Sequence, residues 1–455
     1  MTEGPSLRSY LAGATERGWV KRVDAEVSPE FEIAAYLAQL DPGPVVHFIR
    51  PRLAPEGIPG LTIVGNVLGD LERVGNALDV PVGGIQAKIT RAVDEPGTVV
   101  VVEDAPVHQL SMPADHSVLP VPTFFERENG PYITAGVIIA KDPVTGRGNA
   151  SFARVRPLPD GRWLVGIAPN HHLNQMAQRA PDGRLEIAVV LGAHPAVQLA
   201  ACLYLGLGDD ELLHAEPLLG EPLRVARAET VDLLVPADAE IVLEGVLDVT
   251  ETVVEGLVSE YHGMYEDYGA AATARFSRIT SRRDPIMQVV LPGWHREHLY
   301  LAAIPIAAGL RAAIARSVPT VGEVAVTEGG SGRLAAVIQI RNPRPGHAKQ
   351  VMAAAWGALS MLKQVTVVDD DIDVWDAVAV EWARISRCRV ERDVVIIPDA
   401  RTDRSEPLEN GGTVTKIGYD ALRREGDRVE GFERAVPPDE TMRAVAAALA
   451  ASEPR

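Results

Sequence analysis

Two glutamates, Glu255 and Glu260, stand on either side of Gly256 in the segment EGLVSEYHG. A helix would bring residues three or four apart onto one face, so this spacing fits a loop folding over a site. Upstream come the string NASFAR from Asn149 to Arg154, the pair His171-His172, and Glu211 within GDDELL. Two carboxylates beside a guanidinium can have their pKa values driven apart, one staying ionised while the other carries a proton for delivery. Such a pair makes a general acid for a carbanion. An amide oxygen, an imidazole and a carboxylate, as in Asn149, His172 and Glu211, suit Mn2+ or Mg2+ rather than zinc, with coordination positions left for phosphate or water. Each set also has a plain reading. Glutamates in a loop are usually solvated, Asn, His and Glu recur in any long chain, and His171 competes with His172.

The elements that must position these residues follow from periodicity and breakers. Residues 6–105 alternate helical and strand patterns, with a helix at 31–40 and strands at 61–67 and 98–103. Residues 106–132 hold Pro113, Pro120 and Pro122 and read as an extended connector. Short strands then dominate, at 133–140, 163–167, 187–191 and 241–243, with one helix at 195–205. That is the pattern of a barrel or sandwich. Pro305 suits the start of a helix better than its interior, which places a bridging helix at 305–316. A strand at 334–340, a helix at 347–362 and a strand at 365–368 give a β-α-β unit and a parallel sheet. The acidic run Asp369–Asp373 reads as a structural cap on that last strand, and 439–450 as a terminal helix with an acidic first turn.

The chain of 455 residues exceeds one ordinary core, and 46% hydrophobic residues can fill several. A net charge of -18 argues against nucleic acid or an anionic membrane surface as partner. No apolar run reads as a membrane span and the N-terminus lacks signal-peptide character, which points to the cytoplasm. Cys202 and Cys388 are too few and too far apart for a disulfide framework or a cysteine zinc site. Dinucleotide, P-loop, nucleophile-elbow and HExxH motifs do not occur.

Taken in order, the strings GPYITAG from Gly130, NASFAR, the His172 segment, Glu211, VPADAEIVLEG from Val235, EGLVSEYHG and KQVTVVDDDID from Lys363 resemble the UbiD family of decarboxylases, which use prenylated FMN. The resemblance implies an α/β (α+β multidomain) fold: an N-terminal α/β domain (1–115), a split β-barrel of flavin-reductase type that binds the cofactor (116–300), and a bridging helix with a C-terminal α/β oligomerisation domain (301–455). It implies that Asn149, His172 and Glu211 hold Mn2+ or Mg2+ against the cofactor phosphate, with K+ close by, and that Lys363 contacts that phosphate. Ser151, Arg154 and His171 fall among its cofactor-binding positions. Arg154, Glu255 and Glu260 match the family's catalytic Glu-Arg-Glu network. The activity implied is reversible non-oxidative decarboxylation of an aromatic, heteroaromatic or α,β-unsaturated acid by a homo-oligomer, with a flavin prenyltransferase as cofactor source. The alternatives are an FMN-binding split-barrel reductase and an inactive cofactor-binding subunit. Where relatives commonly read EGPFGE or EGPYGD this chain reads EGLVSE, and Tyr261 stands where ferulic-acid-type enzymes have Met, which suggests a different substrate pocket.

Overall fold

The computed structural model describes residues 4–424 and 435–452. Its centre is a curled sheet whose strand order is Gly148–Phe152, Val137–Lys141, Arg184–Leu191, Ile241–Val254, Ala270–Ser281, Trp163–Gly166 and Arg154–Pro157, with Leu110–Pro113 also paired to Ala270–Ser281. The two edge strands are separated in sequence only by Ala153. A sheet whose opposite edges are joined by one residue must roll until the edges approach, so this sheet is a split barrel and NASFAR straddles its seam. The central strands are buried on both faces. Val137, Ile139, Ala188, Val190 and Val242 belong to one core, while Ile138, Ala140, Ile187, Val189, Ile241 and Leu243 belong to another. Double burial is why these strands read as continuous apolar runs rather than alternating ones.

A four-stranded sheet, Val20–Val27, Val45–Pro51, Thr62–Gly65 and Ile286–Gln288, lies at the N-terminal end, and its last strand comes from beyond the barrel. The strand expected at 98–103 forms as Val99–Val101 but pairs with Leu223–Arg227 instead of joining that sheet. The 106–132 stretch is not wholly a connector, because Leu110–Pro113 adds to the barrel.

Helix Arg296–Ala315 corrects two expectations. It starts well before Pro305, which is buried inside it. The proline removes one helical donor, but the helix is held on two sides at once. Tyr300, Leu301, Ile304 and Ala308 enter the barrel core, whereas Ala303, Ile306, Leu310 and Ile314 enter the C-terminal core. Packing between two cores overrides the local cost. The helix is also long and apolar enough to cross a membrane, against the sequence reading, yet 67% of its apolar window is buried within the protein.

The C-terminal sheet runs Val321–Val326, Ala335–Ile340, Gln364–Asp369, Thr413–Ala421 and Val394–Arg401. Ala335–Ile340 and Gln364–Asp369 are parallel across helix His347–Ala358, the β-α-β unit the sequence predicts. Arg387 donates to Asp369 at 3.1 Å and to Asp371 at 2.7 Å, so this part of the acidic run is tied into the fold. The terminal helix spans Asp439–Ser452.

Candidate active site

The strand that begins at Ile241 continues to Val254 rather than ending at Leu243, and delivers Glu255 at its tip. Leu257–Ser259 then pairs with Tyr265–Asp267 as a small hairpin, with Glu260 at its turn. The two carboxylates therefore flank a hairpin strand, not an irregular loop. The EGLVSE segment contains no proline, and its shape is held by other means. Gly256 takes a φ of +81°. The backbone N–H and hydroxyl of Ser259 donate to Glu128 at 3.0 and 2.8 Å, and Arg156 donates to the Glu255 carbonyl at 3.1 Å.

Arg154 lies across the seam. Its Nε and Nη2 each donate to Glu255 at 2.6 Å, a bidentate pair, and its Nη1 lies 3.9 Å from Glu260. Gly166 is the β partner of Arg154, and a Cβ there would come within 2.6 Å of the Arg154 side chain, so a larger residue would push the guanidinium from its place. Glu255 is 2% exposed against 25% for Arg154. Burial by itself would favour a neutral Arg154, but the hydrogen bonds and charge of Glu255, with Glu260 beyond, outweigh it and hold its pKa above the ordinary value. The Tyr132 hydroxyl reaches Glu255 at 3.4 Å, and the Tyr268 ring lies 5.6 Å from the Arg154 guanidinium carbon. Burial raises both phenols' pKa values, so each stays protonated and uncharged near neutral pH.

At the other end of NASFAR, Asn149 and Glu211 are in contact. Asn149 Nδ2 lies 3.0 Å from both Glu211 oxygens, the Ala150 N–H donates to Glu211 at 2.7 Å, and the Ser151 hydroxyl lies 3.4 Å from Asn149 Oδ1. Burial pushes Glu211 up to about 7. A buried carboxylate met only by neutral donors is the arrangement a divalent cation would complete. The two histidines separate here. His171 Nδ1 accepts from the Leu173 N–H and its Nε2 faces the Phe152 carbonyl, both at 3.3 Å, so both ring nitrogens are in use. His172 opens helix His172–Arg179, which packs against the Asn149 strand. Burial lowers its pKa, which favours the neutral imidazole a metal needs. No hydrogen bond joins His172 to Asn149 or Glu211 among the described residues. Nor do those residues bring three or more His, Cys, Asp or Glu side chains together for a metal, so a cation here would also need the Asn149 amide oxygen. The Lys363 ammonium is held on the buried Glu406 at 2.7 Å.

Sequence reasoning missed Arg156, Tyr132, Tyr268 and Glu128. Arg156 was detectable, since on a strand the second residue after Arg154 shares its face. The other three meet the site only through long-range pairing.

This chain matches the 3-octaprenyl-4-hydroxybenzoate carboxy-lyase N-terminal domain over residues 12–93, the Rift-related domain over 99–295 and the C-terminal domain over 299–421. It belongs to the UbiD family. As a UbiD-family chain it is a carboxy-lyase. It is 34% identical to the anhydromevalonate phosphate decarboxylase of Methanothermobacter thermautotrophicus, over 91% of this chain and 96% of that one. Among solved structures, the UbiD-class enzyme HmfF from Pelotomaculum thermopropionicum in complex with FMN superposes with a TM-score of 0.91 at 37% identity, covering 96% of this chain and 98% of that one. An evolved dimeric form of HmfF in complex with prFMN gives 0.88 at 36%, with the same coverage.

Proposed function

We propose that this UbiD-family protein is a prenylated-FMN-dependent, reversible decarboxylase of an aromatic, heteroaromatic or α,β-unsaturated carboxylic acid. The observation that carries the reading is the Glu255–Arg154–Glu260 arrangement. One carboxylate is clamped and buried, while the second lies at the far side of the same guanidinium without a direct bond to it. When bound, the prenylated flavin would supply the electrophile that makes loss of CO2 feasible.

The protein's own part is orientation and proton control. Arg154 faces the substrate carboxylate with its field, and Glu255 fixes the guanidinium plane. As the carbon–carboxyl bond breaks, CO2 leaves and the electron pair remains with the substrate carbon. Glu260 then delivers a proton to that carbon and is reprotonated from solvent. The sum is carboxylate plus proton to the decarboxylated product plus CO2, and carboxylation runs through the same residues in reverse. Asn149, His172 and Glu211 would hold the divalent cation, with K+ nearby, and Ser151 and Lys363 would face the cofactor phosphate. His171, whose nitrogens meet backbone, would act by shaping the turn before His172. A homo-oligomer is the expected assembly, as the dimeric relative suggests. A flavin prenyltransferase would supply the cofactor.

The test is incubation of purified protein with prenylated FMN and a panel of unsaturated and aromatic acids, with CO2 as readout. Release from at least one acid, lost without the prenyl group, is expected. A flavin-loaded protein that releases none while oxidising NAD(P)H would establish the reductase alternative instead.

A further inference from the structure

Beside Tyr261, the neighbour of Glu260, the C-terminal part of the chain presents a cation that no step above uses. Arg333 lies in the turn at residues 328–334, between strands Val321–Val326 and Ala335–Ile340. Gly332 in this turn has a φ of +67°, and a Cβ on it would stand 2.9 Å from the Leu299 carbonyl oxygen. The turn is thus pressed against the first turns of helix Arg296–Ala315. This close approach sets the Arg333 guanidinium carbon 4.7 Å from the centre of the Tyr261 ring. Tyr261 is the residue after Glu260, and its hydroxyl is anchored on the Ser405 carbonyl at 2.9 Å.

Other side chains gather round this guanidinium. Tyr204, 62% of whose area is open to solvent, stands within hydrogen-bonding reach of the Arg333 side chain. Cys202 and His298, each shifted first by burial, also feel the charge of Arg333. Within this setting Arg333 Nη1 is buried and has no hydrogen-bond partner. No carboxylate lies within ion-pair distance of Arg333 among the described residues, whereas Arg154 is closed by Glu255 and Lys363 by Glu406. Arg404, stacked on Tyr268 at 4.4 Å, is an exposed side chain and contributes field rather than a buried donor.

A buried guanidinium N–H without an acceptor is costly, and a planar fork held on an aromatic ring is built to take a carboxylate or phosphate. We infer that Arg333 is the specificity-determining residue for a second anionic group on the substrate, at the end remote from the carboxylate that is lost. The inference rests on the decarboxylase reading and names its substrate class: unsaturated acids carrying a further carboxylate or phosphate. Contact with Tyr261 favours the substrate over the cofactor phosphate, because a molecule placed to receive a proton from Glu260 lies alongside Tyr261. The relative from Methanothermobacter thermautotrophicus is named for a substrate with a phosphate.

The experiment uses flavin-loaded holoenzyme and two matched pairs: muconate with sorbate, and anhydromevalonate phosphate with its dephosphorylated acid. Wild type should prefer the doubly anionic member of at least one pair by tenfold or more in kcat/KM. Arg333→Gln should lower that member's kcat/KM by roughly a hundredfold, as expected for removing one partner of a desolvated charge pair, while the singly anionic partner changes less than threefold. Arg333→Lys should recover part of the loss. Equal losses for both members, or a wild type without preference in either pair, overturn the inference. Loss of bound flavin in Arg333→Gln assigns the residue to the cofactor phosphate and overturns it too. Should Arg333→Gln fail to fold, the wild-type preference and the Arg333→Lys variant still decide. Dissociation constants from tryptophan quenching separate the two readings. Selective binding of the dianions without CO2 release would keep the anion subsite and sink the decarboxylase assignment, and CO2 release without dianion preference would do the reverse.

Discussion

The two ends of the NASFAR strand pair hold two buried glutamates in opposite surroundings. Glu255 meets a guanidinium through two 2.6 Å bonds. Glu211 meets an amide and a backbone N–H, and burial lifts it to about 7. The first cluster carries its own countercharge and is complete as folded. The second has donors but no cation, so its carboxylate is stabilised as an anion only when positive charge arrives. One seam in the barrel thus sets a self-compensated ion pair near a buried carboxylate that lacks a countercharge.

The sharpest way to break this contrast is Glu260→Gln. Removing a positioned acid costs about a hundredfold to ten-thousandfold in rate, so decarboxylation should nearly vanish while flavin is retained. In D2O the wild type should place deuterium on the carbon that lost CO2. Wild-type turnover by the variant would move the acid role to Glu255.

Next in size is Arg154→Met. Stranding buried Glu255 without its cation should destabilise the fold by about 3 kcal/mol in urea melts, a value at the low end for a buried pair because the guanidinium is partly exposed. The double variant with Glu255→Leu should recover most of that loss. An unchanged melt for the single variant would mean that Arg154 does not close the Glu255 charge.

Glu297 calibrates what burial alone does. It is 2% exposed, accepts from the Leu68 N–H at 3.2 Å, and burial raises its pKa from 4.5 to about 7. Between those values the folded state binds a proton that the unfolded state has released, so stability falls as pH rises through the window. The loss above pH 7 should be of order 3 kcal/mol. Glu297→Gln should flatten the profile and be relatively more stable at pH 8. A profile unchanged by the substitution would assign the pH response elsewhere.

The smallest effect tests the open cluster. Adding Mn2+ to protein stripped of flavin and metal, at a hundredfold excess over Kd, should stabilise it by about 2.7 kcal/mol. Glu211→Ala and His172→Ala should abolish the shift. His171→Ala should keep it, since both His171 nitrogens already meet backbone. A shift lost only in His171→Ala would exchange the two roles.

Much of this was legible one segment at a time. The strand at 163–167, the helix at 347–362 and the strand at 365–368 are apolar runs or periodic patterns bounded by breakers, and each appears within a few residues of its predicted span. The chemistry-bearing residue types were visible too, as was the family through the order of its motifs. Pro305 misled because a local rule met a helix buried between two cores. The end of strand Ile241–Val254 was hidden because its outer half is open on one face, so the apolar run stops long before the pairing does.

The sequence by itself determined which side chains were available, which stretches favour helix or strand through local sterics and periodicity, and which family pattern they compose. Only the tertiary structure decided which charges meet. Arg154 reaches Glu255 across 101 positions and Asn149 reaches Glu211 across 62, contacts that no local pattern encodes. It also decided that His171 is spent on backbone and that Lys363 is held by Glu406. Propensity acts over a few residues, whereas desolvation and ion pairing depend on what the folded chain brings to the same place.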